Sequence, residues 1–372
     1  MIPLAPASPE GYPAPLWLLE ALKVFGFSLH ATAMHLWYAG MPIAVILALV
    51  GGRHGRALAG RLGKAMPIVM ALGINFGIIP LLFTQVVNYQ FFYTAGVLIA
   101  WPGLAIIALL MVAYYGVYLH AESRRRTLVL ASGIVSAGSL VIIGFVFANM
   151  LTLMTNQPQW LAIFHRTAVA GAPTGVALNL ADPILPPRWL MMFGLAITTT
   201  AAYIVFDTAV FARQADEQYR GWAGRLAFGL YSLGLIWFAA TGSWYIFGAL
   251  SPRVREAMMA RPMIEGLMIL TALAPGLPWL LILIWRRMRA PVLAALVAAA
   301  QFGIIGINAI SRQWVQNVEL RPYADLVATP VRAQWLGLTG FLVAFLIGVA
   351  LAVWIAAKLW STWSAEQTES SV

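Results

Sequence analysis

Apolar runs long enough to cross a lipid bilayer recur along this chain from residue 16 to residue 360. A crossing helix needs roughly 20 such residues, and in hydrocarbon only helices and closed barrels satisfy all their own backbone polar groups. The runs read as nine spans, at about 16–50, 66–88, 95–119, 128–154, 189–212, 226–250, 263–285, 290–310 and 336–360. The first exceeds what a bilayer requires and is expected to tilt or extend past the surface. Pro42, Pro80, Pro102 and Pro275 fall inside spans, where membrane helices tolerate them better than soluble ones do. The expected fold is an all-α integral membrane protein with one transmembrane domain over residues 1–372. No internal repeat or soluble domain is visible.

Composition narrows the chemistry. Only 10% of residues are charged and 61% are hydrophobic, against about a quarter charged in soluble proteins. With no cysteine, disulfides, thiolate metal sites, iron–sulfur clusters and a covalently attached c-type haem are excluded. The formal net charge of +10 fits anionic headgroups and topology, and no nucleic-acid partner is expected. The segment "MIPLAPASPEGYPAP" lacks a basic n-region, so the first run is expected to remain as a helix.

Basic residues give the orientation. With the N-terminus outside, the inner segments hold 14 of the 23 lysines and arginines, including Arg53, Arg124, Arg220 and Arg286. The outer segments hold 8, and Lys23 lies within the first span. This bias predicts an outer N-terminus and an inner C-terminus. Two outer loops are long, at 155–188 and 311–335, and their aromatic residues predict folding against the membrane surface. The stretch 362–372 reads as a polar cytoplasmic tail.

The segment "LHATAMHLWYAG" (29–40) places His30 and His35 in an apolar helix, five residues and roughly 140° apart. They face different sides and cannot clamp one metal together. Each is a functional candidate by its position in the membrane, as a haem ligand or as a hydrogen-bonding partner. The alternative is a pair satisfied by backbone or hydroxyl groups. Asp207, in "AAYIVFDTAVF", lies well inside a span and serves either a proton entrance or the anchoring of a helix end. Asn75, Gln85, Asn88 and Gln90 give the second span a polar thread able to support a haem, a quinone or helix packing. His165 reads as a surface residue, a ligand or a proton acceptor; His54 and His120 are expected at headgroups.

Taken in order, four segments resemble the cytochrome bd oxidase subunit I superfamily: "HATAMHLWYAG", "INFGIIPLLFTQVVNYQFFYT" (74–94), "LPPRWLMMFG" (185–194) and "SRQWVQNVELRPY" (311–323). The two histidines at this spacing are most similar to its divergent, cytochrome-c-linked branch. The resemblance implies a nine-helix fold with an outer N-terminus and haem b, with His35 the first axial candidate and His30 the second. It implies electron exchange with quinol or a periplasmic c-type cytochrome, and quinone as a further cofactor. It also implies other subunits of a membrane redox complex, and the bacterial cytoplasmic membrane as the location.

The departures are specific. Met191 stands where the family's fifth helix carries a haem histidine; methionine is a known axial ligand and also a common apolar filler. Asn308 and Ala309 occupy the region of a haem-ligating glutamate, and Gln313 and Asn317 replace glutamates of the c-linked pattern. The third span has no acidic residue, so an intact oxygen-reducing centre is not expected. Gln313 joins Asp207, Asn75 and Gln85 as a polar or proton-pathway candidate. Arg188, Arg312 and Arg321, at outer helix ends, suit haem propionates or lipid phosphates. The alternatives are a haem-free or quinone-binding anchor of a cytochrome complex and a small-molecule transporter, which should show inverted repeats.

Overall fold

A computed structural model describes residues 10–369, and of residues 352, 356 and 359–369 the backbone alone. Among the described residues there is no strand, and nine helices are long and apolar enough to cross a membrane. These are α1 (Leu16–Val50), α2 (Gly52–Val87), α4 (Ala100–Glu122), α5 (Arg126–Thr155), α7 (Leu185–Val210), α8 (Glu217–Ala249), α10 (Pro262–Met288), α11 (Pro291–Leu320) and α12, which crosses over Trp335–Ile355 and continues to Glu369. Three short helices lie between them: α3 (Tyr89–Leu98), α6 (Gln157–Thr167) and α9 (Pro252–Met259). The chain is an all-α integral membrane protein.

Proline marks where several helices begin. Pro158, Pro186, Pro252, Pro262 and Pro291 occupy first turns, where the missing N–H has no partner to lose. Asp216 and Ser251 cap α8 and α9 by accepting from the backbone N–H of Tyr219 and Val254. Inside α1, Pro42 would clash with the carbonyl four residues back, and the turn Leu36–Gly40 widens to π-helical geometry there. A turn at Pro275 interrupts α10 between Leu273 and Gly276.

The first four spans pack in one ring (α1 on α2 and α5, α4 on α2 and α5) and the next four in a second (α7 on α8 and α11, α10 on α8 and α11). Helix α1 also meets α7 and α11, so it joins the rings. Helix α12 lies outside, where Phe341 and Phe345 meet Phe83 and Phe25. One end of the bundle carries the long connections; the other has short turns only. At the loop-rich end the segment around Tyr12 pairs with Pro330 and Arg332 through backbone hydrogen bonds of 2.8 Å. Gly11 is required there: its φ is +68° and a Cβ would strike the carbonyl of Pro330.

The helices overrun the expected spans wherever a charged turn continues an apolar run. Helix α2 begins at Gly52 rather than 66 and carries Arg53, Arg56, Arg61 and Lys64. Residues 311–320 of the expected loop 311–335 continue α11 to Leu320, because their amides find partners on α1. The expected loop 155–188 contains α6, and α7 starts within it at Leu185. Of the expected tail, residues 370–372 lie outside the described residues.

Candidate functional site

A buried polar layer is built on three consecutive threonines of α7. Thr199 Oγ1 donates to the carbonyl of Leu195 at 2.7 Å and accepts from Gln301 Nε2 of α11 at 3.1 Å. A hydroxyl has one proton and two lone pairs, so its remaining role is to accept. His35 Nδ1 lies 3.2 Å away and therefore carries the proton it donates. Tyr231 OH of α8 donates to Gln301 Oε1 at 2.8 Å, which fixes the amide, and Gln301 Nε2 also reaches Thr198. His35 is buried at 3% exposure. With Nδ1 protonated and held, Nε2 keeps its lone pair, the tautomer a metal-ligating histidine needs.

His30 is oriented by a different helix. Its Nδ1–H donates to the carbonyl of Gly73 at 2.8 Å, so its Nε2 is also bare. The sequence "GINFG" places Gly73 and Gly77 on one face of α2, a small-residue groove of the kind that lets membrane helices approach. A Cβ on Gly73 would run into the Trp37 ring, and one on Gly77 would come within 2.9 Å of the His30 ring. The Gly73→Val variant is expected to lose about 1–3 kcal/mol by overpacking. The midpoint of thermal unfolding in detergent reads this directly.

Above these histidines, toward the loop-rich end, buried cations accumulate. Lys23 Nζ donates to Gln316 Oε1 at 2.8 Å, and the Arg312 guanidinium lies 4.5 Å over the Phe27 ring. Arg188 is buried at 8% exposure, and its Nη1 has no hydrogen-bond partner. Arg188, Arg312 and Lys23 lie within electrostatic reach of one another. Nearby carboxylates do not pair with them directly: Glu319 lies within electrostatic reach of Arg188, yet neither it nor Asp182 makes an ion pair within 4 Å among the described residues. Glu20 accepts from Asn317 at 2.7 Å and from Gln313 at 3.4 Å. Asp182 is occupied by Asn156 and Asn179 at 2.9 and 2.8 Å. A buried guanidinium with an orphaned N–H is costly, so this layer is suited to an anion.

The remaining expected residues are dispersed. Met191 packs into the second ring, its sulfur facing Gly242 of α8, with Phe238 and Ile304 in the same cluster; the adjacent Met192 faces the first ring. Arg321 is exposed just beyond α11 and does not join Arg188 and Arg312. Asp207 lies at the opposite, short-turn end, where both its oxygens accept from Arg61 at 2.8 Å and tie α7 to α2. Asn75 is exposed and donates to its own helix at Ala71, while Gln85 accepts from Tyr93 at 3.5 Å. His165 is exposed beside Phe164. His120, expected at headgroups, is instead buried between Gly63 and Gly133 and donates to the Val129 carbonyl. Thr199, Gln301 and Lys23 were not singled out from sequence, although the triplet Thr198–Thr200 and a lone amide at Gln301 interrupt apolar spans.

No family model matches the chain, and no curated protein matches it by sequence. In a comparison with solved structures, it superposes on a chain of the bd oxidase from Geobacillus thermodenitrificans with a TM-score of 0.66. The match covers 96% of this chain and 99% of that one, at 12% identity. The chain has the bd oxidase fold. Within that fold, the residues described above fit a haem in two respects. His35 offers a bare, fixed imidazole nitrogen, and buried Arg188 and half-buried Arg312 offer cations without carboxylate partners within 4 Å.

Proposed function

We propose that this protein is a membrane electron-transfer subunit of a respiratory redox complex, of the divergent cytochrome-c-linked kind, holding b-type haem in the bacterial cytoplasmic membrane. The observation that carries this reading is the His35–Thr199–Gln301 chain, which holds one imidazole in the ligating tautomer inside a bd-like bundle. Haem iron would supply one-electron transfer with quinol or a periplasmic c-type cytochrome. His35 would bind it, while Thr199 and Gln301 fix the ring and keep its proton on Nδ1. Arg312 and Arg188, about three helical turns nearer the loop-rich end by the 1.5 Å rise, would take the propionates. Tyr12, which lies at that end, would then be on the outer side.

Helix α4 carries no acidic residue before its final Glu122, and Asp207 is engaged by Arg61, so neither supplies a proton route to a buried centre. Oxygen reduction is therefore left out of the proposal. A haem-free or quinone-binding anchor is the second reading, favoured by the way Gln313, Asn317 and Glu20 fill the α1–α11 contact with one another.

A reduced-minus-oxidised spectrum and a pyridine haemochromogen of the purified full chain decide between them. A b-type signal is expected; its absence under conditions that load other b-type cytochromes would overturn the electron-carrier reading. Arg188→Gln and Arg312→Gln each remove a charge-assisted contact worth about 1.5–3 kcal/mol. Each is expected to weaken haem retention by about ten- to a hundredfold, measured by transfer to an apo-globin acceptor.

A further inference from the structure

A cleft of about 310 Å³ lies at the short-turn end, between the start of α8 and the end of α10. Arg220, Arg225, Arg286, Arg287 and Arg289 line it, and no carboxylate does. Glu217 stands nearby, exposed, and accepts from Arg289 at 2.7 Å. Among the described residues, Arg225, Arg286 and Arg287 have no carboxylate within 4 Å. The floor is made by glycine: a Cβ on Gly221 would sit 3.3 Å from Arg289, and one on Gly224 3.3 Å from the Trp285 ring.

Solvated basic residues at a helix end are the ordinary mark of membrane topology, and two features distinguish this group from that. Trp285 is 2% exposed, lines the cleft, and its indole N–H has no hydrogen-bond partner. The Nε–H of Arg220, on the facing helix, is likewise buried and unpartnered. A buried donor left without an acceptor is destabilising. Both donors belong to residues that line the cleft together with the guanidinium groups, and the one carboxylate near them is the exposed Glu217, 3.9 Å from Arg220. The arginines are also held in place: Arg286 stacks 4.9 Å over Phe228, and Arg289 adopts a left-handed backbone, φ +50°, to close α10.

We propose that this cleft binds a phosphate group, with Arg220 Nε and Trp285 Nε1 donating to its oxygens and the surrounding guanidinium groups neutralising its charge. Guanidinium forks match phosphate oxygens in pairs. The phosphate belongs either to an anionic lipid headgroup or to a soluble phosphate compound. Leu283 also lines the cleft, and the exposed apolar residues Leu280 and Ile284 continue along α10, as a site shared with acyl chains would require.

The test uses the full chain in neutral detergent, stripped of lipid, with thermal unfolding followed during titration. The probes are phosphatidylglycerol, phosphatidylcholine and inorganic pyrophosphate. Phosphatidylglycerol is expected to raise the midpoint by several degrees and phosphatidylcholine to leave it unchanged. Arg220→Gln, and the exposed pair Arg225→Gln/Arg287→Gln, which disturbs no packing, are each expected to raise the half-saturating concentration at least tenfold. Arg124→Gln/Arg125→Gln, between α4 and α5, should not. If pyrophosphate alone gives the same variant-sensitive gain, the ligand is soluble and the site stands. A gain equal in all variants, or none with either anion, overturns the proposal.

Discussion

The His35→Ala variant is expected to lose the b-type haem signal entirely, while His30→Ala retains most of it. Both side chains are held through Nδ1, so both offer Nε2; what separates them is the partner. His35 donates to a threonine that is itself fixed by Gln301 and Tyr231, three side chains from three other spans. His30 donates to a single backbone carbonyl beside a glycine groove. Outer-shell partners of this kind typically contribute 10–100-fold in metal affinity. Thr199→Val should therefore weaken haem retention by that factor without removing the ligand. Haemochromogen yield per milligram, measured beside intact folding by circular dichroism, reads all three variants. Loss in His30→Ala with retention in His35→Ala would reverse the assignment.

The second large effect concerns stability. Arg61→Ala is expected to destabilise the bundle by about 3–5 kcal/mol, because it leaves Asp207 buried without its partner. Asp207 is 3% exposed and receives two bonds of 2.8 Å from one guanidinium fork. The double variant Arg61→Gln/Asp207→Asn removes the charge altogether and should recover much of the loss. A double-mutant cycle on unfolding midpoints isolates the pair. Additive effects of the single changes would show that the two side chains do not act together.

Both predictions rest on contacts that the sequence did not disclose, although it disclosed the frame around them. The spans were legible because hydrocarbon forces long apolar helices wherever the chain crosses. Their ends were not, because a helix does not stop where hydropathy falls. The basic first turns of α2 and the amide-rich last turns of α11 are helical through partners elsewhere. Helix α6 was hidden for a related reason: eleven residues of mixed character, QPQWLAIFHRT, give too short a signal. His30 and His35 were legible as unusual. Their tautomers were not, since those depend on Gly73, Thr199 and Gln301, and Thr199 is 164 positions from His35. Asp207 gave the same difficulty. An acid in a span is visible, but Arg61, 146 residues away, belonged to a segment that read as an inner loop. The three arginines expected at outer helix ends looked equivalent, and only packing separates buried Arg188 and half-buried Arg312 from exposed Arg321.

The bond between Lys23 and Gln316 spans 293 positions, and this has a consequence for how the protein is made. At about 5–20 residues per second, the ribosome needs roughly a quarter of a minute to a minute to deliver the acceptor after the first helix has emerged. During that interval the first helix carries an ammonium group with no permanent home in the bilayer. Nascent chains that stop before the eighth crossing leave that group stranded, a recognisable defect for membrane quality control. A single hydrogen bond thus ties the settling of the first crossing to the arrival of the eighth.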